Sequence, residues 1–167
     1  MKSDDLKALQ APIKAQYKDD PQSAVVNMTV TGTVDGNDLT CRVPTHAGPV
    51  AAGLHPAAGG DGSHACSGDM LLESLVACAG VTLRAVATAM EIAIDKGSIT
   101  AAGTMDFRGT LGVSRETPIG LTNISLKFEI DSPAEPDKLA KLIQLTERYC
   151  VIYQTLKNPP TIETISA

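Results

Sequence analysis

Apolar residues recur at helical spacing over one long stretch, Ser67 to Ile94 (SGDMLLESLVACAGVTLRAVATAMEIAI), and the sequence on either side reads mostly as short strands and turns. Ser67 suits an N-cap, Asp69 suits the positive helix end, and Lys96 with Gly97 supplies a stop. On a helical wheel Leu71, Leu75, Cys78, Thr82, Ala85, Val86 and Ala89 share one face, opposite Asp69, Glu73, Gly80, Arg84 and Glu91. Cys78 is therefore expected to point into the core. Small residues such as Ala77, Ala79 and Gly80 admit close neighbours. Such a helix is roughly 40 Å long, whereas a compact chain of this size has a radius of gyration of about 15 Å. A second copy of the chain is the expected cover.

Upstream, Leu6, Leu9, Ile13 and Tyr17 mark a short amphipathic helix over residues 3 to 18, with Pro12 as a kink or boundary and Asp19-Asp20-Pro21 as its end. Alternation in Ala24 to Val34 predicts a strand, turned by Asp35-Gly36-Asn37 into a second one over Leu39 to Val43. Pro44 to His64 has no periodicity and reads as a long loop. Downstream, Ser98 to Val113 and Leu121 to Ile130 alternate like neighbouring antiparallel strands. After Pro133 to Pro136 a helix follows, with Leu139, Leu142, Ile143 and Leu145 on its apolar face and Asp137 and Arg148 placed as its dipole favours. Cys150 opens a short last helix by a turn, Asn158-Pro159-Pro160 breaks that helix, and Thr161 to Ile165 reads as a final strand. This order defines an α+β fold with antiparallel pairings. Residues 1–22 form a helical extension, and 23–167 a single domain.

A net charge of -5 with few aromatics and no basic run excludes nucleic acid and anionic membranes as expected partners. The N-terminus lacks the basic and apolar regions of a secretory signal, and charges interrupt every apolar run before a membrane-spanning length, so a cytoplasmic protein is expected. In a reducing compartment Cys41, Cys66, Cys78 and Cys150 are core thiols or reactive ones rather than a disulfide framework. His46, His55 and His64 recur every nine residues before Cys66, but without the short spacing that sets two ligands on one turn. A Gly-rich surface loop is the better reading, and no metal or bound cofactor is expected.

The two cysteine contexts, LLESLVACAG around Cys78 and ERYCVIYQTL around Cys150, resemble the OsmC/Ohr family of osmotically inducible and organic hydroperoxide resistance proteins. The resemblance runs from about residue 24 onward. It implies an intertwined homodimer, with antiparallel sheets wrapped around the long central helices. It also implies a thiol peroxidase that reduces organic hydroperoxides, with Cys78 as the peroxidatic and Cys150 as the resolving residue. The reductant would be an external dithiol, dihydrolipoyl groups of a lipoylated protein being the family's donor. Two departures stand out. The family's acidic partner falls at Gly68, with Asp69 next to it, and Arg42 corresponds to the family's N-terminal Arg only by rough location.

A peroxidatic cysteine must be a thiolate, and a mid-helix thiol in apolar surroundings needs a cation to become one. Arg84 lies on the wrong face, which leaves Arg42, Arg148 or an Arg of a second subunit. Attack on a peroxide would give a sulfenic acid that Cys150 converts to a disulfide. Leu71, Leu75, Val86 and Ala89 around Cys78 would line an apolar substrate pocket. Cys41 and Cys66 read as structural. The alternative function is a small-molecule binder on the same fold, which the Gly68 departure favours, and a metal-binding module based on the His-rich loop is a third.

Overall fold

The computed structural model describes residues 1–34 and 36–166. In chain order its helices are α1 (Ser3–Asp19), α2 (Ser67–Ala89), α3 (Phe107–Thr110), α4 (Pro136–Tyr149) and α5 (Val151–Lys157). Its strands are β1 (Cys41–Val43), β2 (Val50–Gly53), β3 (Ala65–Cys66), β4 (Lys96–Met105) and β5 (Leu121–Asp131). The fold is α+β, as the pattern predicts. The chain divides into two compact units, one of Met1–Gln22, Ser74–Thr100 and Leu126–Ala167, the other of Ser23–Glu73 and Ala101–Ser125.

In the first unit, α2 contributes a stripe of Leu75, Ala79, Leu83 and Ala87, all buried. These follow one another at i, i+4, so they stack along one helix face. The stripe lies roughly a quarter-turn from the face the wheel picked out. Leu71 and Ala89, expected inside, are exposed, and Cys78 is only partly buried at the margin. The predicted face missed because Ala and Gly are spread around the whole helix and define no sharp hydrophobic direction. Leu83, Ala87, Ile92 and the fully buried Leu142 of α4 form the core cluster, with Phe128, Ile130, Ile99 and Leu139 packed against it.

Helix α2 stops before the predicted Lys96-Gly97 signal. Glu91 takes the left-handed conformation at φ 56, Ile92 N–H reaches Ala87 O at 2.9 Å, and Glu91 N–H reaches Thr88 O at 3.2 Å. This is a Schellman stop with Glu where Gly is usual, and burial of Ile92 in the core compensates for the strained residue. By length and composition α2 is apolar enough to cross a membrane, contrary to the sequence expectation; its Leu83 and Ala87 pack in the protein core. The N-terminal helix runs unbroken from Ser3 to Asp19 with Pro12 inside it, so Pro12 is not a boundary. Pro136 opens α4 at a position where its missing N–H has no helical role.

In the second unit, β1 pairs antiparallel with β2, and β2 pairs parallel with the two-residue β3. The parallel pairing departs from the all-antiparallel expectation. It is reached through Leu54–His64, which holds a 3-10 turn at Pro56–Ala58. The long loop expected over Pro44 to His64 thus contains β2, whose sequence VAAG is too short and too small in side chain to alternate visibly. Residues 25 to 32 form no strand, and Thr33 makes only an isolated bridge to Arg42. Val25, Val26, Met28 and Val30 of this stretch are all exposed, so one chain provides no surface for them. The predicted turn at Asp35 lies outside the described residues, and Thr161 to Ile165 forms no strand.

Strands β4 and β5 form a two-stranded sheet. Asp95 N–H donates to Asp131 O at one end, and the Thr122 hydroxyl donates to Thr104 O towards the other, an antiparallel order. Partial burial alternates along β4 but slips by one residue in β5 between Leu121 and Ile124. Asn123 there has φ 51, and a Cβ on Gly103 would lie 3.1 Å from Leu121 and 3.4 Å from Ile124. Two residues over one identify a bulge that needs Gly opposite it.

Candidate functional site

Helix α4 delivers Cys150 to the first unit's interior. The Cys150 backbone (φ -73, ψ 110) leaves the helical region for a single residue, closing α4 and opening α5. Its N–H still reaches Thr146 O at 2.9 Å, and its carbonyl accepts Gln154 N–H at 2.9 Å. The break is held from both sides. The buried Thr146 hydroxyl donates to Leu142 O at 2.8 Å, and the Gln154 amide donates to Glu147 O, also at 2.8 Å. Cys150 is fully buried as a result.

The Cys78 thiol, on α2, lies beside the Cys150 thiol, close enough for each to shift the other's ionisation. Burial by itself would raise the Cys78 thiol, but the N–H of Ile152, the Cys150 thiol, the N–H of Val151 and the Thr82 hydroxyl all favour a charged sulfur, and the net direction is down. The N–H groups of a helix's first turn have no partner within the helix, so restarting the helix after Cys150 turns two of them towards Cys78. Burial raises the Cys150 thiol, and the neighbouring Cys78 sulfur pushes it further the same way. The pair is thereby separated into a sulfur that ionises readily and one that keeps its proton.

The structure thus brings together the two cysteines the sequence singled out. It gives their pairing a donor set the sequence reading missed: Val151, Ile152 and Thr82. Thr82 was visible one turn beyond Cys78, and the helix restart was visible in the turn read at Cys150. The expected cation is not among the groups that set the Cys78 thiol. Arg42 is an exposed residue of β1 in the second unit, opposite Ala51, and Asp69 is exposed in the first turn of α2. Arg148 lies over the Tyr149 ring, 5.5 Å from its centroid. A side chain at Gly68 would meet the flexible end of Met105 at 3.3 Å. Of the expected apolar lining, Leu75 and Val86 are taken up by packing, while Leu71 and Ala89 remain exposed.

The histidines are engaged separately. His55 Nδ1 accepts Ala57 N–H at 3.0 Å and its ring stacks on Phe107 at 4.8 Å, while His64 Nδ1 contacts the Ser63 hydroxyl at 2.8 Å. Among the described residues, no three His, Cys, Asp or Glu side chains converge as metal ligands.

Residues 60–165 match the family model described as OsmC-like protein. The chain belongs to the OsmC-like family. Among curated proteins none matches the sequence. Among solved structures it is similar to an OsmC-like protein from Mycoplasma pneumoniae, with TM-score 0.65 and 22% identity over 80% of this chain and 89% of that one. It is also similar to an organic hydroperoxide resistance protein OsmC from Legionella pneumophila, with TM-score 0.62 and 16% identity over 80% and 92% of the two chains. A third similar structure is the organic hydroperoxide resistance protein OhrB of Bacillus subtilis, with TM-score 0.52 and 17% identity over 79% and 93%. At these identities the likeness establishes the fold, and membership of the family makes a peroxide-related redox role its setting.

Proposed function

We propose that the protein is a two-cysteine thiol peroxidase that reduces organic hydroperoxides. The observation that carries this is the adjacent thiol pair itself, with Cys78 driven towards thiolate and Cys150 held as a thiol. The Cys78 thiolate attacks the terminal peroxide oxygen, the O–O bond breaks, and the alkoxide takes a proton to leave as alcohol. Cys78 is then a sulfenic acid. The Cys150 sulfur displaces its hydroxyl as water, and its own proton balances the step, giving a Cys78–Cys150 disulfide. An external dithiol, with dihydrolipoyl groups as the candidate class, restores both thiols and is itself oxidised to a disulfide. A reducing cytoplasm suits that cycle.

The same reading takes the working assembly as a homodimer. Leu71 and Val81 of α2 are 39% and 74% exposed in the single chain, as are several apolar residues between Val25 and Val34. Sedimentation giving twice 17.4 kDa is expected, and a stable monomer would refute it.

The test is turnover of cumene hydroperoxide with a dithiol reductant. Wild type should cycle, Cys78→Ser should be inert, and Cys150→Ser should complete one turnover and leave a sulfenic acid that dimedone traps. A wild type that consumes no hydroperoxide would replace this reading with that of a small-molecule binder on the same fold, which Gly68 in place of the family's acidic residue favours.

A further inference from the structure

An uninterrupted α-helix would carry the Val151 N–H back to Glu147 O, four residues earlier. The break at Cys150 sends that N–H to Cys78 instead, and a carbonyl that loses its helical donor inside a protein costs free energy unless another donor replaces it. A replacement is present. The side-chain amide of Gln154 donates to Glu147 O at 2.8 Å, in a part-buried bond between residues seven apart. A glutamine in the first turn of α5 thus does for Glu147 O what the Val151 backbone would have done.

The amide is itself held in place. Gln154 N–H donates to Cys150 O at 2.9 Å, which fixes the glutamine relative to the break. Asn158 Nδ2 donates to the Gln154 side-chain oxygen at 3.2 Å, and with that oxygen engaged the amide nitrogen is the end turned to Glu147. The Asn158 backbone N–H closes α5 on Gln154 O, also at 2.9 Å. One run of bonds therefore leads from the end of α5 through Gln154 to the last turn of α4. Gln154 is not among the groups that set the Cys78 thiol, so its influence passes through the backbone.

We propose that Gln154 is a positioning residue for the thiol pair: by giving Glu147 O a substitute donor, it leaves the Val151 N–H free to face Cys78. The proposal rests on the reading of Cys78 as the attacking thiolate. Without the amide, Glu147 O recovers its helical donor and the Val151 N–H turns away from the sulfur. Cys150, the titratable group among those acting on Cys78, keeps its own N–H bond to Thr146 O. A change in Cys78 reactivity then reports the lost N–H.

Gln154→Met keeps the side-chain length without a donor, and Gln154→Ala removes the side chain. Both residues favour helix, and Gln154 lines an open groove in which either is tolerated. Alkylation of Cys78 by iodoacetamide, followed against pH in the reduced protein and resolved by peptide mapping, reads the thiol without any peroxide. In both variants, confirmed as folded by circular dichroism, the midpoint should rise by about one pH unit, the loss of one charge-assisted hydrogen bond. Cumene hydroperoxide turnover should fall about tenfold below the ordinary thiol range and return to the wild-type rate above it, where the sulfur is ionised in either protein. Asn158→Ala, which leaves the amide but frees its orientation, should move the midpoint the same way by less. An unchanged midpoint in both Gln154 variants overturns the proposal, and so does a loss of turnover that is uniform with pH, the mark of a merely damaged fold. A midpoint that rises in a protein consuming no hydroperoxide supports the positioning role and removes the peroxidase reading instead.

Discussion

Oxidation with one equivalent of cumene hydroperoxide should close a Cys78–Cys150 bridge, and the effect on stability follows from the chain. The bond ties together residues on α2 and at the end of α4, a loop of about 70 residues, for which loop-closure entropy gives about 4 kcal/mol at 25 °C. The native side needs little movement, since the two thiols are already neighbours and Cys150 sits at a single non-helical residue that can adjust without unwinding either helix. With an m-value of about 2 kcal/mol per M, the urea midpoint should move up by about 2 M. The measurement compares oxidised and reduced protein at one fixed concentration, because a dimer's stability depends on it, and peptide mapping confirms the bridge. Cys150→Ser should show no gain. An oxidised form no more stable than the reduced one, or a bridge through Cys41 or Cys66, would refute the assigned pair.

Leu142 is fully buried in the core cluster, so Leu142→Ala should cost about 2.5–5 kcal/mol in urea unfolding, whereas Val81→Ala, exposed in the single chain, tests the dimer face by raising the dissociation constant. The Cys78 thiol is depressed and the Cys150 thiol raised, so iodoacetamide should modify Cys78 first. Its rate should persist as pH falls below the ordinary thiol range, and Cys150→Ala should move that profile to higher pH while Cys150→Ser, which keeps a donor, moves it less. The exposed Val151, whose N–H reaches Cys78, offers substrate an apolar surface, so burial of two or three substrate carbons is worth about 1.6–2.4 kcal/mol. Cumene hydroperoxide should then exceed hydrogen peroxide in kcat/KM by about 15- to 60-fold, and equal values would remove the apolar contact.

What could be read from the sequence was what a strong local period specifies. The alternation of β4 and β5, the apolar face of α4 and the central helix are all written in side chains of high contrast, such as Phe128 and Ile130 against Lys127 and Glu129. β2 was missed because VAAG has no contrast, and β3 because two residues define no period. The strand expected over Ala24 to Val34 has the right alternation, but alternation shows only that a residue could pair, and pairing needs a neighbour that this chain leaves absent. The rotation of the buried face of α2 is a similar failure. In an Ala-rich helix the stripe is chosen by what packs against it, here Leu142 and Phe128, and that choice is not local. At the site, both cysteines were legible from their contexts, but the groups that tune them were not, because two of those groups are backbone N–H donors of Val151 and Ile152.

That last point changes the chemical requirement placed on the site. A thiolate on an apolar helix was expected to need a cation, because a charge with no opposite partner is costly in low dielectric. Oriented dipoles meet the same need. An N–H aimed at an anion contributes a charge-assisted hydrogen bond, and the single non-helical residue at Cys150 supplies several donors by one device. Ending α4 there places a thiol beside Cys78, and starting α5 immediately afterwards exposes two N–H groups to the same sulfur. Thr82, one turn along α2, adds the fourth donor. Were α4 to run on through Cys150, the N–H groups of Val151 and Ile152 would be consumed by carbonyls four residues earlier, and Cys78 would keep only its thiol and hydroxyl neighbours. The break in the helix is thus what joins the two requirements of a two-cysteine cycle, an ionised attacking sulfur and a protonated resolving one within its reach.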